Sequence, residues 1–249
     1  RRQSNIFIRY IENLLKNIGS EYVEKEDVKT TELRAIIFRG LGITCENNKY
    51  IDTAKNLYSK YLNDKNSVEP NLAASAIAII AQNGDKDLHT EFFEKYTSSQ
   101  IPQEKIRFLF SLSEFKSNDL IKETLKLSLS EKIKNQDAPY LIATAIRNYR
   151  HTKTAWNFVE QNWEKINKVF PNNTIPRMFG GIKSVSDKEL AERISLFFDK
   201  NPVPQGQKTI DQNLEKMNIN LKLPKYIIPR KPVINYRSKN TYEHNFDFI

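Results

Sequence analysis

Three histidines, one cysteine and 30 carboxylates are the groups from which these 249 residues would have to build catalysis. Their spacing assembles none of the common devices. His89, His151 and His244 stand far apart and none has a second histidine at a ligand spacing, so no protein-only zinc site is read from them. Cys45 is alone, which excludes an internal disulfide framework and a cysteine metal site. A glycine-rich phosphate loop, a nucleophile elbow and a paired-carboxylate signature are absent, and the acidic residues read as solvated helix faces. The residues offer no catalytic constellation and no cofactor site of their own.

Charge points weakly toward partners. The net charge is +9, but residues 221–249 hold six Lys or Arg against two Asp or Glu, leaving about +5 for the rest of the chain. No stretch interleaves lysines with glycines and aromatics as a stacking platform for bases requires, so a nucleic-acid partner is disfavoured. No apolar run is long enough to cross a bilayer, and residues 1–20 form a charged amphipathic segment without a signal-peptide core. The chain begins at Arg1, apparently inside a helix, which reads as part of something longer. Nothing selects a compartment: cytoplasmic, luminal and extracellular locations all stay open.

The elements that would position any site are helices. Glycine and proline are scarce, at 7 and 10 residues, and apolar residues recur at intervals of three and four. The stretch from His151 to Phe170 predicts one helix, with Trp156, Val159, Trp163, Ile166 and Phe170 on a single apolar stripe. Both tryptophans of the chain lie on it, so Trp156, Trp163 and Phe170 are expected in the core. Earlier, Ile6, Tyr10, Ile11, Leu14 and Leu15 share a helix face, as do Ala54, Leu57, Tyr58, Tyr61 and Leu62. Gly40 and Gly42 read as a C-cap. Pro70 and Pro102 open helices, Asp137-Ala-Pro139 caps another, and Ser186-Asp-Lys-Glu189 reads as a capping box. First-of-pair helices begin near residues 31, 70, 103 and 138, and second-of-pair helices near 51, 86, 118 and 152. That period predicts an all-α superhelical array of antiparallel helix pairs, a solenoid of the HEAT or armadillo kind, with a bundle of unrelated helices as the alternative. A helical domain over residues 1–220 is followed by an extended basic, proline-containing tail over 221–249.

Ala155-Trp-Asn-Phe-x-x-x-Asn-Trp163, followed by Phe170, resembles a signature of the C-terminal helical domain of the zinc aminopeptidases. That family includes the puromycin-sensitive, endoplasmic-reticulum, alanyl and glutamyl enzymes. Thr31-Glu-Leu-Arg34 with Gly40-Leu-Gly42, Glu104-Lys105, Ile146-Arg147-Asn148, Phe197-Phe198, Pro202 and Thr209-Ile210 resemble the same domain in the same order. The resemblance covers residues 1 to about 220. The tail has no counterpart in it.

The resemblance implies a bowl of helical hairpins over a thermolysin-like catalytic domain, a chamber that admits peptides, and zinc held upstream by H-E-x-x-H and a glutamate. None of that zinc motif is in this sequence, so the chain is expected to be non-catalytic alone, and its partners would be the upstream catalytic domain and peptide substrates. Two residues carry over. Arg177, in Ile-Pro-Arg-Met-Phe, matches an arginine that faces the cleft and positions substrate, where a guanidinium can engage a carbonyl or an acidic group. Arg147 matches an arginine lining the chamber of the endoplasmic-reticulum member, where a basic patch receives the peptide carboxyl terminus. The second basic position of that patch is Glu114 here. For either arginine an ordinary ion pair is the competing reading. Competing functions are a stand-alone helical-repeat scaffold for a protein partner and an adaptor working through the basic tail. A homodimer stays open.

Overall fold

Helix stop and start signals lie close together along the chain, and they set the architecture. The computed structural model describes residues 2–19 and 25–222. Among them the chain forms α1 (Arg2–Ile18), α2 (Val28–Arg39), α3 (Asn48–Asn63), α4 (Pro70–Gln82), α5 (Lys86–Ser98), α6 (Pro102–Ser111) and α7 (Asn118–Ser128). There follow α8 (Ala138–Arg147), α9 (Thr152–Gln161), α10 (Trp163–Val169), α11 (Ile175–Met178), α12 (Lys188–Lys200) and α13 (Gln207–Lys222). The described residues contain no strand, so the fold is all-α. No described helix is long and apolar enough to cross a membrane. Of the tail over 221–249, Leu221 and Lys222 close α13, and the remainder lies outside the described residues, as does His244.

Polar side chains begin six of the described α-helices by accepting an amide that has no partner inside the helix. Asp27 accepts from the Lys29 amide, Asp85 from Leu88, and Glu69 from both Asn71 and Leu72 ahead of Pro70. Apolar faces then pair the helices. α2 packs on α4, α4 on α6, α6 on α8, and α8 on the 3₁₀ helix Phe179–Ser184, which packs on α13. α3 covers α4, α5 covers α6, and α7 covers both α8 and α9. α4, apolar nearly all round, is buried over Leu72, Ala73, Ala76, Ile77, Ala78, Ile79 and Ala81, as its sequence predicts.

Five local expectations are corrected. The helix over 151–170 is broken at Asn162, whose φ of −118° and ψ of 15° leave the helical region. Asn162 Nδ2 donates to the Phe158 carbonyl at 2.8 Å, so the side chain competes with the backbone for that acceptor. The break separates the two indoles. Trp156 is fully buried, Phe170 is buried, and Trp163 is only half-buried at the edge of the same aromatic cluster. Gly40 is right-handed helical rather than a cap, and the chain passes through it into a π-helical turn, Gly40–Thr44. At the capping box the cap is Asp187, which accepts from the Leu190 amide at 2.8 Å, because its carboxylate reaches that donor one residue later than Ser186. Asp137 occupies its cap position in a helical conformation and makes no side-chain cap bond. Tyr10 and Leu62 are exposed, at 58% and 44%, because α1 and α3 turn these edges outward.

Candidate functional site

The site is built on α8. Pro139 supplies a fixed φ in its first turn, and Leu141, Ile142, Ala145 and Ile146 are fully buried on the inward side. That leaves as a stripe Tyr140, half-buried, and Arg147, exposed, at i and i+7 about 10 Å apart along the helix, with the buried Thr144 at i+4 between them. Thr144 Oγ1 donates to the Tyr140 carbonyl at 2.9 Å and accepts from Arg147 Nη2 at 3.4 Å. Arg147 itself is exposed.

Arg177 reaches the same stripe from α11. Ile175, Pro176 and Met178 are buried around it, so its backbone is held while its side chain is exposed. Gly181 lets this segment approach α8 closely: a Cβ there would stand 2.4 Å from the Ala143 carbonyl oxygen and 2.8 Å from Ile146 Cβ. The result is a direct hydrogen bond in which Arg177 Nη1 donates to Tyr140 Oη at 2.8 Å.

Four of the described arginines are paired with glutamates, whereas Arg107, which donates to Tyr61 Oη at 3.3 Å, and the two arginines of this site are not. Arg34 pairs with Glu26, Arg39 with Glu114, Arg150 with Glu46 and Arg193 with Glu160. Among the described residues Arg147 and Arg177 have hydroxyl partners and no carboxylate within ion-pair distance. Their positive charge is therefore left for something else to neutralise. Glu114 is committed to Arg39 across α4, so it neither adds to nor cancels the charge of this stripe.

The remaining reactive groups are structural. His89 Nε2 lies 2.8 Å from Thr124 Oγ1, and His151 Nε2 lies 2.9 Å from the Phe115 carbonyl oxygen. Burial holds both imidazoles below their ordinary pKa, and it pushes the Cys45 thiol up, away from the thiolate. No group of three or more His, Cys, Asp or Glu residues among the described residues could hold a metal ion, so these side chains do not fit a zinc site. A cleft of about 760 Å³ between α1 and α3 is lined by Lys16, Lys49 and Lys60 over a floor of Phe38 and Leu72, and it includes no residue of α8 or α11.

Sequence reasoning singled out both arginines and did not name Tyr140. Its signal was present as polar residues three and seven positions before Arg147. The network in which Trp156 Nε1 donates to Glu160 at 2.8 Å and Glu160 meets Arg193 was also missed, because its members come from α9 and α12.

Comparison with known proteins gives one family: residues 2–219 match the ERAP1-like C-terminal domain. Aminopeptidase M1-C of Oryza sativa subsp. japonica is 25% identical over 224 residues, covering 86% of this chain and 25% of that protein. Endoplasmic reticulum aminopeptidase 2 of Bos taurus is 30% identical over 155 residues, 60% of this chain and 16% of that protein. Glutamyl aminopeptidase of Bos taurus is 28% identical over 205 residues, 78% of this chain and 21% of that protein. The chain spans about a quarter of the length of the curated relatives it matches most fully.

Proposed function

The chain belongs to the ERAP1-like C-terminal domain family, and we propose that it is the substrate-enclosing wall of a zinc aminopeptidase whose zinc is held by a domain outside this sequence. The observation that carries this reading is the α8 stripe, where Arg177 and Arg147 present two charges without a carboxylate partner among the described residues. A guanidinium whose donors are not committed to an acid can take a peptide carbonyl, an acidic side chain or a terminal carboxylate. We assign Arg177 to positioning the peptide and Arg147 to the region of its carboxyl end.

The wall itself is read as a solenoid of helical hairpins over residues 1–220. The order of contacts, with each first-of-pair helix touching the next, supports that arrangement. Such a stack offers an extended peptide a long series of side chains, and closing it over a catalytic domain would enclose the scissile bond together with its attacking water, away from bulk solvent. Neither a nucleic acid nor a second copy of the chain is needed.

The first test is the intact mass and amino-terminal sequence of the native product. A protein about four times as long as this chain, with H-E-x-x-H upstream, supports the aminopeptidase reading. A mature product of this length alone would replace it with a free helical-repeat scaffold. In the complete enzyme, Arg177→Ala should slow peptide cleavage while leaving the melting temperature in place. Normal turnover with a large loss of melting temperature would make Arg177 a structural residue instead.

A further inference from the structure

We infer that Glu46 is the centre of an ionic latch between α1–α4 and the helices from α5 onward, and that these two parts hinge apart at its edge when the latch opens. The connections α2–α3, α4–α5, α6–α7 and α8–α9 meet along that edge. There Glu46 Oε1 receives both Arg150 Nη2 at 2.5 Å and Lys116 Nζ at 3.3 Å. Arg150 Nη1 also donates to Gln82 Oε1 at 3.4 Å, and Lys116 Nζ to Asn83 Oδ1 at 3.3 Å. Glu46, Gln82 and Asn83 precede α5, whereas Lys116 and Arg150 follow it, so all four bonds cross between the same two parts of the chain. Glu46 is set in left-handed backbone, at φ 47°, which glycine adopts freely and a residue with a Cβ does not. A glutamate kept in that conformation is held by what its carboxylate reaches.

The opposite edge of the same seam is built differently. At the far end of α3, Tyr58 Oη donates to Glu91 at 2.8 Å and its ring lies edge-on to Phe92, while Tyr61 Oη donates to Glu104 at 3.1 Å. Tyr61 and Glu104 are 2% and 5% exposed, so this edge is sealed from solvent and serves as the pivot. The Glu46 side chain is 47% exposed, and water and salt reach the latch. Its bonds are charged contacts that ions compete for, whereas the aromatic packing at the pivot is insensitive to them. Along α3 the two edges stand about 20 Å apart, so a small rotation at the pivot becomes a displacement of several ångströms at the latch. Nothing in the latch depends on what the chain binds.

The test places spin labels at Asn48 and Lys153 of the full-length native protein through non-canonical residues and reads their separation by pulsed electron resonance. Both positions are exposed, lie at the latch edge and stand on opposite sides of the seam. In 50 mM sodium chloride the wild type should give one narrow distance. At 1 M, where the Debye length falls to about 3 Å, a second population about 5 Å longer should appear. Glu46→Gln should show that population already at 50 mM, and adding Arg150→Gln should change it no further, because both remove one contact. Its melting temperature should stay within about 2 °C of the wild type. A distance that ignores both salt and Glu46→Gln overturns the latch. Lengthening by salt without lengthening in Glu46→Gln at 50 mM also overturns it, and moves the salt-sensitive fastening to Arg39 and Glu114. Additive effects of the two substitutions, or a lengthening that tracks a lost melting temperature, overturn it as well.

Discussion

His151 and Phe115 are joined by a buried hydrogen bond in which the ring Nε2 meets the Phe115 carbonyl oxygen at 2.9 Å, and the same Phe115 turns its ring edge-on to His89 at 5.1 Å between centroids. The loop after α6 is thereby clamped from both sides, by the start of α9 and by α5. His151 Nδ1 is buried without a partner, which fits a neutral ring carrying its proton on Nε2. A second proton would be placed on an atom with no acceptor beside it. Lys86 for His89 and Arg150 for His151 oppose protonation further, while Glu123 favours it for His89 and the Phe115 carbonyl favours it for His151, in both cases by less than burial opposes it.

Stability should therefore fall on mild acidification. Both imidazoles have folded pKa values depressed by burial below the ordinary 6.5. Between the depressed value and 6.5 the unfolded chain binds more protons than the folded one, so stability is full above about 6.5 and is lost as pH falls below it. Thermal melts at pH 7.5 and 5.5 should show the loss, and His151→Gln should reduce it by removing one titrating ring. A melting temperature independent of pH over that window would contradict the assignment of neutral buried rings.

The break at Asn162 makes the two tryptophans unequal. Trp156 packs against Phe179, Phe197 and Phe198 and is wholly buried, so Trp156→Ala should cost about 3–5 kcal/mol. It also leaves Glu160 with one donor fewer. Trp163 touches Phe179 and Phe197 from a half-exposed position, and its truncation should cost about half as much. Urea denaturation of the two variants measures the difference. Equal losses would place both indoles in one continuous core.

Much of the helix order was legible because its signals are local. Pro70 and Pro102 open α4 and α6 where the sequence predicts, since a missing amide and a fixed φ act on the residue that carries them. The break at Asn162 was hidden, because the apolar spacing from Trp156 to Phe170 continues through it and only a side-chain hydrogen bond reveals it. The candidate site was half legible. The arginines follow from motifs, but the bond from Arg177 to Tyr140 joins residues 37 apart, and it depends on how closely Gly181 lets the 3₁₀ helix approach α8. No periodicity encodes that approach.

Gly42 and Gly40 should respond oppositely to alanine. At Gly42 a Cβ would stand 2.5 Å from Ile79 Cδ1 and 2.6 Å from Cγ1, inside the buried contact between the π turn and α4. Moving Ile79 should cost about 1–3 kcal/mol. At Gly40 nothing lies within 4 Å and the backbone is right-handed helical, so alanine should stabilise by about 0.5–1 kcal/mol through lost freedom of the unfolded chain. Chemical denaturation of both single variants provides the comparison, and destabilisation by both would mean that the π turn itself requires glycine.

Arg34 gives a prediction as large as that for Trp156. It is 1% exposed, and its Nε donates to the Gly19 carbonyl at 2.8 Å while Nη2 donates to the Ile18 carbonyl at 3.0 Å. Nη2 and Nη1 also donate to the Glu26 carboxylate, at 2.5 and 2.6 Å. One side chain thus ends α1 by satisfying its last carbonyls and fixes the approach to α2 through a two-pronged ion pair. Arg34→Met fills the space but removes every donor, and the loss should be about 3–5 kcal/mol. Arg34→Met combined with Glu26→Leu should recover only part of that loss, because the pair is replaced but the carbonyls of Ile18 and Gly19 still lack donors. Raising salt should change the wild-type stability little at this site, since a buried pair is poorly screened. Full recovery in the double variant would show that the ion pair alone mattered and that the end of α1 finds its hydrogen bonds in water.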